Sequence, residues 1–257
     1  MWLRLRQIAL VVAERDPVVD DLTSILGIDV CFEDPGVAHF GLHNHLMPVG
    51  NQFIEVVAPI EENTAGGRYL QRRGGDSGYM VITQCDDQAP RRARIEELGV
   101  RLVTDHRWDG FANMQLHPKD TGGTFFEIDQ QEGGEEPDGV WVPAGPNWQE
   151  HVRTDVVSAI TAAEIQSPEP ERVAARWSEI AEIDLIDGDD GAPTMPLDNA
   201  DVRFVEATDG RGEGLGAIDV AAVDPERVLA AAEERDRRTG EDQVTIGGLR
   251  INLRPAE

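Results

Sequence analysis

The chain has 257 residues, with 23 Lys and Arg against 49 Asp and Glu, for a formal net charge of −26. Nucleic acid and anionic membrane surfaces both need a basic face, so neither is expected as a partner. The length suits one large domain or two ordinary ones, the 40% apolar content is enough for real cores, and no apolar run reaches the roughly 18 residues of a membrane helix.

Lys119 is the only lysine. Surplus carboxylate with so little lysine describes a protein kept soluble by charge, and molar salt is expected to raise its melting temperature by screening self-repulsion. The opening Met1-Trp2-Leu3-Arg4-Leu5-Arg6 leads into a strand pattern and not into a cleavable signal, so a cytoplasmic location is expected. Cys31 and Cys85 sit in extended runs without metal-ligand spacing and read as reduced core thiols.

An apolar, β-branched run from Leu3 to Ala13 ends at Asp16-Pro17, a helix start, and the helix it opens closes at Gly27. Val18, Val19, Leu22, Ile25 and Leu26 fall at helical spacing and predict one buried stripe. Extended runs follow over about 28–33, 37–45 and 51–58, completing the order β-α-β-β-β. That order recurs from Tyr79 to Asp129, with a helix over about 88–98 and strands near 100–105, 112–117 and 123–129. A third copy starts at Val156, with the cap Ser167-Pro168, and a fourth at Leu215, with the cap Asp224-Pro225. Residues 131–150, rich in Gly, Pro and acid, read as a linker between a domain of residues 1–130 and one of residues 151–257. The expectation is an α+β fold in which paired modules form curved mixed sheets, two such domains in tandem. A small-molecule site is expected on the concave face of the first.

Glu55 lies within Phe53-Ile54-Glu55-Val56-Val57, and Glu127 within Phe125-Phe126-Glu127-Ile128-Asp129. A mid-strand carboxylate among such neighbours costs several kcal/mol unless it is paired, hydrogen-bonded or metal-bound. Gln7 precedes Glu55 by 48 residues and Tyr79 precedes Glu127 by the same 48, which predicts pseudo-equivalent positions. Tyr79 is either a plain sheet residue or a proton donor in the pocket. His43 and His45 are two apart on a strand and share a face, either at a site or on the surface. Arg68 and Arg72, beside Arg73, are placed to steer an anionic group or to pair with surface acids. His117-Pro118 followed by Asp120-Thr121-Gly122-Gly123 describes a hairpin, with His117 serving the turn or the ligand. The acidic runs Glu132 to Asp138 and Asp187 to Asp190 read as solvated loops.

The stretch from Gly74 to Asp129 resembles methylmalonyl-CoA epimerases and, more broadly, the vicinal-oxygen-chelate superfamily of glyoxalase, bleomycin-resistance and extradiol-dioxygenase proteins. The most specific piece is His117-Pro118-Lys119-Asp120-Thr121-Gly122-Gly123 before the strand carrying Glu127. Gln7-Ile8-Ala9-Leu10-Val11-Val12, Phe53 to Pro59 and Arg68 to Gly75 match more weakly. The resemblance implies a divalent metal held by the first and last strand of each module, with Gln7, Glu55, the residue at Tyr79 and Glu127 as ligands. Such a metal acts as a Lewis acid on an oxygenated substrate. The family usually has histidine where this chain has Tyr79, or Gly78 if the register slides by one, so water, His43 or His45 would have to fill that place. Two functions follow. One is a metal-assisted lyase or isomerase, with Glu127 or Glu55 as ligand and proton acceptor and Tyr79 as a catalytic partner. The other is a non-catalytic binding or sequestering protein that has lost its metal, and in both a second copy of the chain is a candidate partner.

Overall fold

The computed structural model describes residues 1–108, 110–188 and 191–256; Asp189 and Asp190 of the second acidic run lie outside them. The first module is β1 (Leu3–Val11), α1 (Arg15–Leu26), β2 (Leu42–Val49) and β3 (Gln52–Pro59), followed by α2 (Ala65–Arg73). The second comprises β4 (Ser77–Cys85), α3 (Gln88–Glu97), the short strands β5 (Leu102–Thr104), β6 (Arg107–Trp108), β7 (Phe111–Ala112) and β8 (Gln115–Leu116), then α4 (Pro118–Thr121) and β9 (Phe125–Gln131). The third is β10 (Val157–Ser167), α5 (Pro170–Ala181), β11 (Ile186–Asp187), β12 (Pro193–Pro196) and β13 (Asp201–Glu206). The fourth is β14 (Gly214–Ala222), α6 (Pro225–Glu234), β15 (Gln243–Ile246) and β16 (Leu249–Pro255).

In every module the first and last strands run parallel, and the strand before the last pairs antiparallel with it. A helix connects the parallel strands across one face, so that face is apolar and the other is free for polar side chains. Two expectations shift locally. The run at 28–33 is not a strand: only Phe32 bridges to Leu46, and a 3-10 helix covers Pro35–Phe40. The glycine-rich turn after His117 is the single helical turn α4, not a hairpin, because Pro118 sits at its start and Gly122 ends it in the left-handed region.

The described residues group into two compact units, each taking one module from either side of residues 131–150. The first comprises Met1–Arg6, Tyr79–Trp141 and Ala162–Leu215. Its core centres on Trp177 of α5, stacked on Phe126 at 4.2 Å and edge-on to Phe204 at 5.7 Å, with its indole N–H donated to the Thr121 carbonyl at 2.6 Å. Gly123 is dictated by this packing: its φ is +85°, and a Cβ would sit 2.6 Å from the Glu213 carbonyl oxygen. Residues 134–141, linker-like in composition, are bound into this unit. The buried Arg4 donates to the carbonyls of Gly134, Glu135 and Glu136, Arg6 donates to those of Pro137 and Gly139, and Trp141 is buried against Phe111. Burial pushes the Arg6 guanidinium down to about 9.

The second unit comprises Gln7–Gly78, Val142–Thr161 and Gly216–Glu257. Here α1 lies on α6, and Arg235 and Arg237 grip the buried Asp21 at 3.0 and 2.6 Å. Trp148 packs edge-on to Phe53 at 4.9 Å, and Gln52 exchanges two hydrogen bonds with the backbone of Ile160. Among the described residues no helix is long and apolar enough to cross a membrane.

Beside α4, Asp120 accepts from the Arg101 guanidinium at 2.6 and 2.8 Å, which holds its carboxyl down at about 2. A depressed acid contributes stability above its unfolded value, and that stability is lost as pH falls toward about 2. Arg101 is more than half exposed, so Asp120→Asn is expected to cost only about 1 kcal/mol at pH 7 and nothing at pH 2. Urea melts at the two pH values check this, and a loss persisting at pH 2 would contradict it.

Candidate functional site

In the second unit, Gln7 pairs with Phe53 across the parallel β1–β3 ladder, and Glu55 follows two residues on. Paired residues and their second neighbours share a face, so Gln7 and Glu55 lie on one side of the sheet. Gln7 Nε2 donates to Glu55 Oε2 at 2.9 Å, and Asn44 Nδ2 donates to Glu55 Oε1 at 2.6 Å. The Asn44 carbonyl accepts from the Asp34 backbone at 2.9 Å, which fixes the amide with its N–H toward the carboxylate. Both Glu55 oxygens are thus bracketed by neutral amide donors.

His43 and His45 stand away from this cluster. They pair with Ala58 and Val56, so they occupy the opposite face of β2 from Asn44. His45 Nε2 lies 3.3 Å from Glu33, which is itself held by Arg15 at 3.0 Å. Burial, followed by the Arg15 charge, lowers the His43 imidazole. Neither histidine can complete a donor set around Glu55. Arg68 caps the loop before its own helix through the Asn63 carbonyl, and Arg72 lies over the Tyr69 ring at 4.7 Å.

In the first unit the parallel ladder pairs Met80 with Phe125 and Ile82 with Glu127. Comparison with Gln7 and Phe53 corrects the sequence spacing by one residue: the counterpart of Gln7 is Met80, not Tyr79. The equal spacing of 48 misled because the offset between paired strands is one residue shorter in the second module. Tyr79 packs edge-on against Phe125 at 4.9 Å. His117 caps α4, its Nδ1 accepting from the Lys119 N–H at 3.1 Å.

Glu127 is bracketed like Glu55. Asn113 Nδ2 donates to Oε1 at 2.5 Å and Gln115 Nε2 to Oε2 at 2.9 Å, while Thr104 donates to the Asn113 carbonyl at 2.6 Å and orients that amide. Gln115 Nε2 also lies 3.8 Å from Met80 Sδ. Asp129, two residues on and on the same face, was missed by the sequence reading. Its Oδ1 accepts from Met114 N at 3.3 Å and Asn113 Nδ2 at 3.5 Å, and its Oδ2 receives no protein donor. Burial first, then the neighbouring Glu127 charge, pushes Asp129 well above the usual carboxylate range, and burial raises Glu127.

Solvent reaches this face. Met80, Ile82, Phe125 and Glu127 keep 5–8% of their surface, whereas Val81, Thr83, Phe126 and Ile128 on the other side keep none. The face therefore presents an apolar floor around an amide-bracketed acid pair.

A family model described as a glyoxalase-like domain matches residues 8–181. The chain belongs to this family. No curated protein matches it. Among solved structures, a hypothetical protein from Staphylococcus aureus is similar over 99% of this chain and 100% of its own, at 12% identity and a TM-score of 0.68. A mutant of 4-hydroxymandelate synthase from Streptomyces coelicolor aligns with 92% of this chain and 76% of its own, at 14% identity and a TM-score of 0.65. Methylmalonyl-CoA epimerase from Mycobacterium tuberculosis aligns with 50% of this chain and 87% of its own, at 25% identity and a TM-score of 0.44. The first two share the fold. The glyoxalase-like chain is thus an α+β member of the vicinal-oxygen-chelate superfamily, with its modules arranged along the whole sequence.

The divalent metal implied by the superfamily does not fit these residues. Such an ion needs oxygen or nitrogen lone pairs converging on it. Here Asn44, Gln7, Asn113 and Gln115 aim N–H groups at the carboxylates, and the Gln7 counterpart is a thioether. Among the described residues no group of three or more His, Cys, Asp or Glu side chains is placed to hold a metal ion.

Proposed function

We propose that this glyoxalase-like protein is a metal-independent small-molecule-binding or sequestering protein. Its ligand lies on the β4–β9 face formed by Met80, Ile82, Gln115, Phe125 and Glu127. The observation that carries the reading is the amide bracketing of both mid-strand glutamates. An acid already satisfied by two N–H donors, next to a thioether, is built to accept hydrogen bonds and not to coordinate a hard cation. The lyase or isomerase alternative needs the metal as its Lewis acid and has no donor set to support it. We further propose that the repeat along the sequence divides at residues 130 and 150, as two tandem pairs of modules, although each compact unit draws on both pairs.

Metal analysis of protein purified without chelators tests the reading. Less than about 0.1 equivalent of metal per chain is expected, with no shift in melting temperature on adding magnesium, manganese, cobalt or zinc, because binding to the native state alone would stabilise it. Stoichiometric metal that disappears in Glu127→Ala would overturn the proposal.

A further inference from the structure

Two buried acids elsewhere in this chain are matched by arginine. Asp21 holds Arg235 and Arg237, and Asp219 holds Arg254 at 2.8 Å. Glu127 and Asp129 differ: among the described residues no Lys, Arg or His forms an ion pair with either, although Asp129 is 1% exposed. Asp129 Oδ2 receives no hydrogen bond from a protein donor, and the Gln115 carbonyl, on a half-buried side chain, receives none either. Each Glu127 oxygen accepts one amide donor and keeps a second lone pair. The face therefore offers acceptors and negative charge without a cation. Around them stand Met80, Ile82 and Phe125, which are apolar or aromatic.

We propose that this face binds a small organic cation, an ammonium group carried on an apolar or aromatic body; the inference rests on the pocket reading above and specifies its ligand class. An ammonium brings three N–H donors to the Glu127 carboxylate and the Gln115 carbonyl, and charge-assisted bonds of this kind are the strong ones. The ring of Phe125 attracts positive charge, and the ligand body buries apolar surface against Met80 and Ile82. A bare metal ion would meet the Asn113 and Gln115 N–H groups instead. The net charge of −26 concentrates cations around the molecule before they enter.

Three probes of one shape and different charge test this on the full chain: benzylamine, benzyl alcohol and benzoate, followed by thermal melts and calorimetry at pH 7. Benzylamine is expected to raise the melting temperature saturably and the other two are not. Glu127→Gln is expected to weaken benzylamine about tenfold, the loss of one charge-assisted contact, and Asp129→Asn severalfold, the loss of an acid beside that contact. Two substitutions are used so that a folding defect in one leaves the other. Equal stabilisation by benzyl alcohol overturns the cation inference and leaves the pocket standing. Undiminished benzylamine binding in both variants, or no response to benzylamine at about 10 mM, overturns the inference as well. Stoichiometric bound metal, by contrast, is what overturns the reading on which it rests.

Discussion

Asp129→Asn is expected to stabilise the protein by roughly 2 kcal/mol at pH 8, because it removes one of two buried carboxyl groups that lack a cation. The sign follows from linkage. Asp129 titrates well above the usual carboxylate range in the folded state, so the folded protein binds more protons than the unfolded one at intermediate pH, and its stability falls as pH rises. The asparagine keeps the acceptor for Met114 N, so that backbone donor remains satisfied. Denaturant melts from pH 4 to pH 8 check it: the gap between variant and wild type should open with pH. Parallel curves would mean that Asp129 is not held above the usual carboxylate range.

Trp177→Ala is expected to lose about 4–5 kcal/mol, the upper part of the range for deleting a buried aromatic side chain. Its indole is fully buried, stacks on Phe126, meets Phe204 and satisfies the Thr121 carbonyl. Removal leaves both a cavity and an orphaned backbone acceptor; Trp177→Phe orphans the same acceptor but keeps most of the ring packing, and is expected to lose about 2 kcal/mol. Urea denaturation of the two variants distinguishes these costs. Because α5 and β9 meet at this residue, Trp177→Ala should also depress probe binding at the Glu127 face, whereas Trp177→Phe should spare it.

Much of the fold was legible because its signals are local. The stripe of Val18, Val19, Leu22, Ile25 and Leu26 is buried in α1 apart from small exposures, and Gly27 ends the helix with φ +67°. Asp224-Pro225 caps α6 as read, the Asp224 side chain accepting from Arg227 N. The candidate site was legible only in its acids. Glu55 and Glu127 stood out through the expense of burying charge, and Asp129 carried the same period-two signal without being singled out. The amides Asn44, Asn113 and Gln115 gave no such signal, since an uncharged side chain on a short strand is ordinary. His43 and His45 were read correctly as sharing a face, but which face depended on the pairing of β2 with β3.

By itself the sequence determined four recurring modules of a strand, a helix and further strands, the Gly27 end of α1, the Asp224 start of α6, the family and the two carboxylates placed where charge is costly, because caps, periodicity and burial cost act over a few residues. Only the tertiary structure decided that Met80 and not Tyr79 is the partner of Gln7. A ladder register is set by hydrogen bonds between strands some 45 residues apart, and a shift of one residue exchanges every side chain between faces. It also decided that Arg4 and Arg6, which read as polar strand residues, bind the backbone of 134–139, and that amide donors fill the places a metal would need. Those contacts join residues far apart in the chain, and no local pattern encodes them.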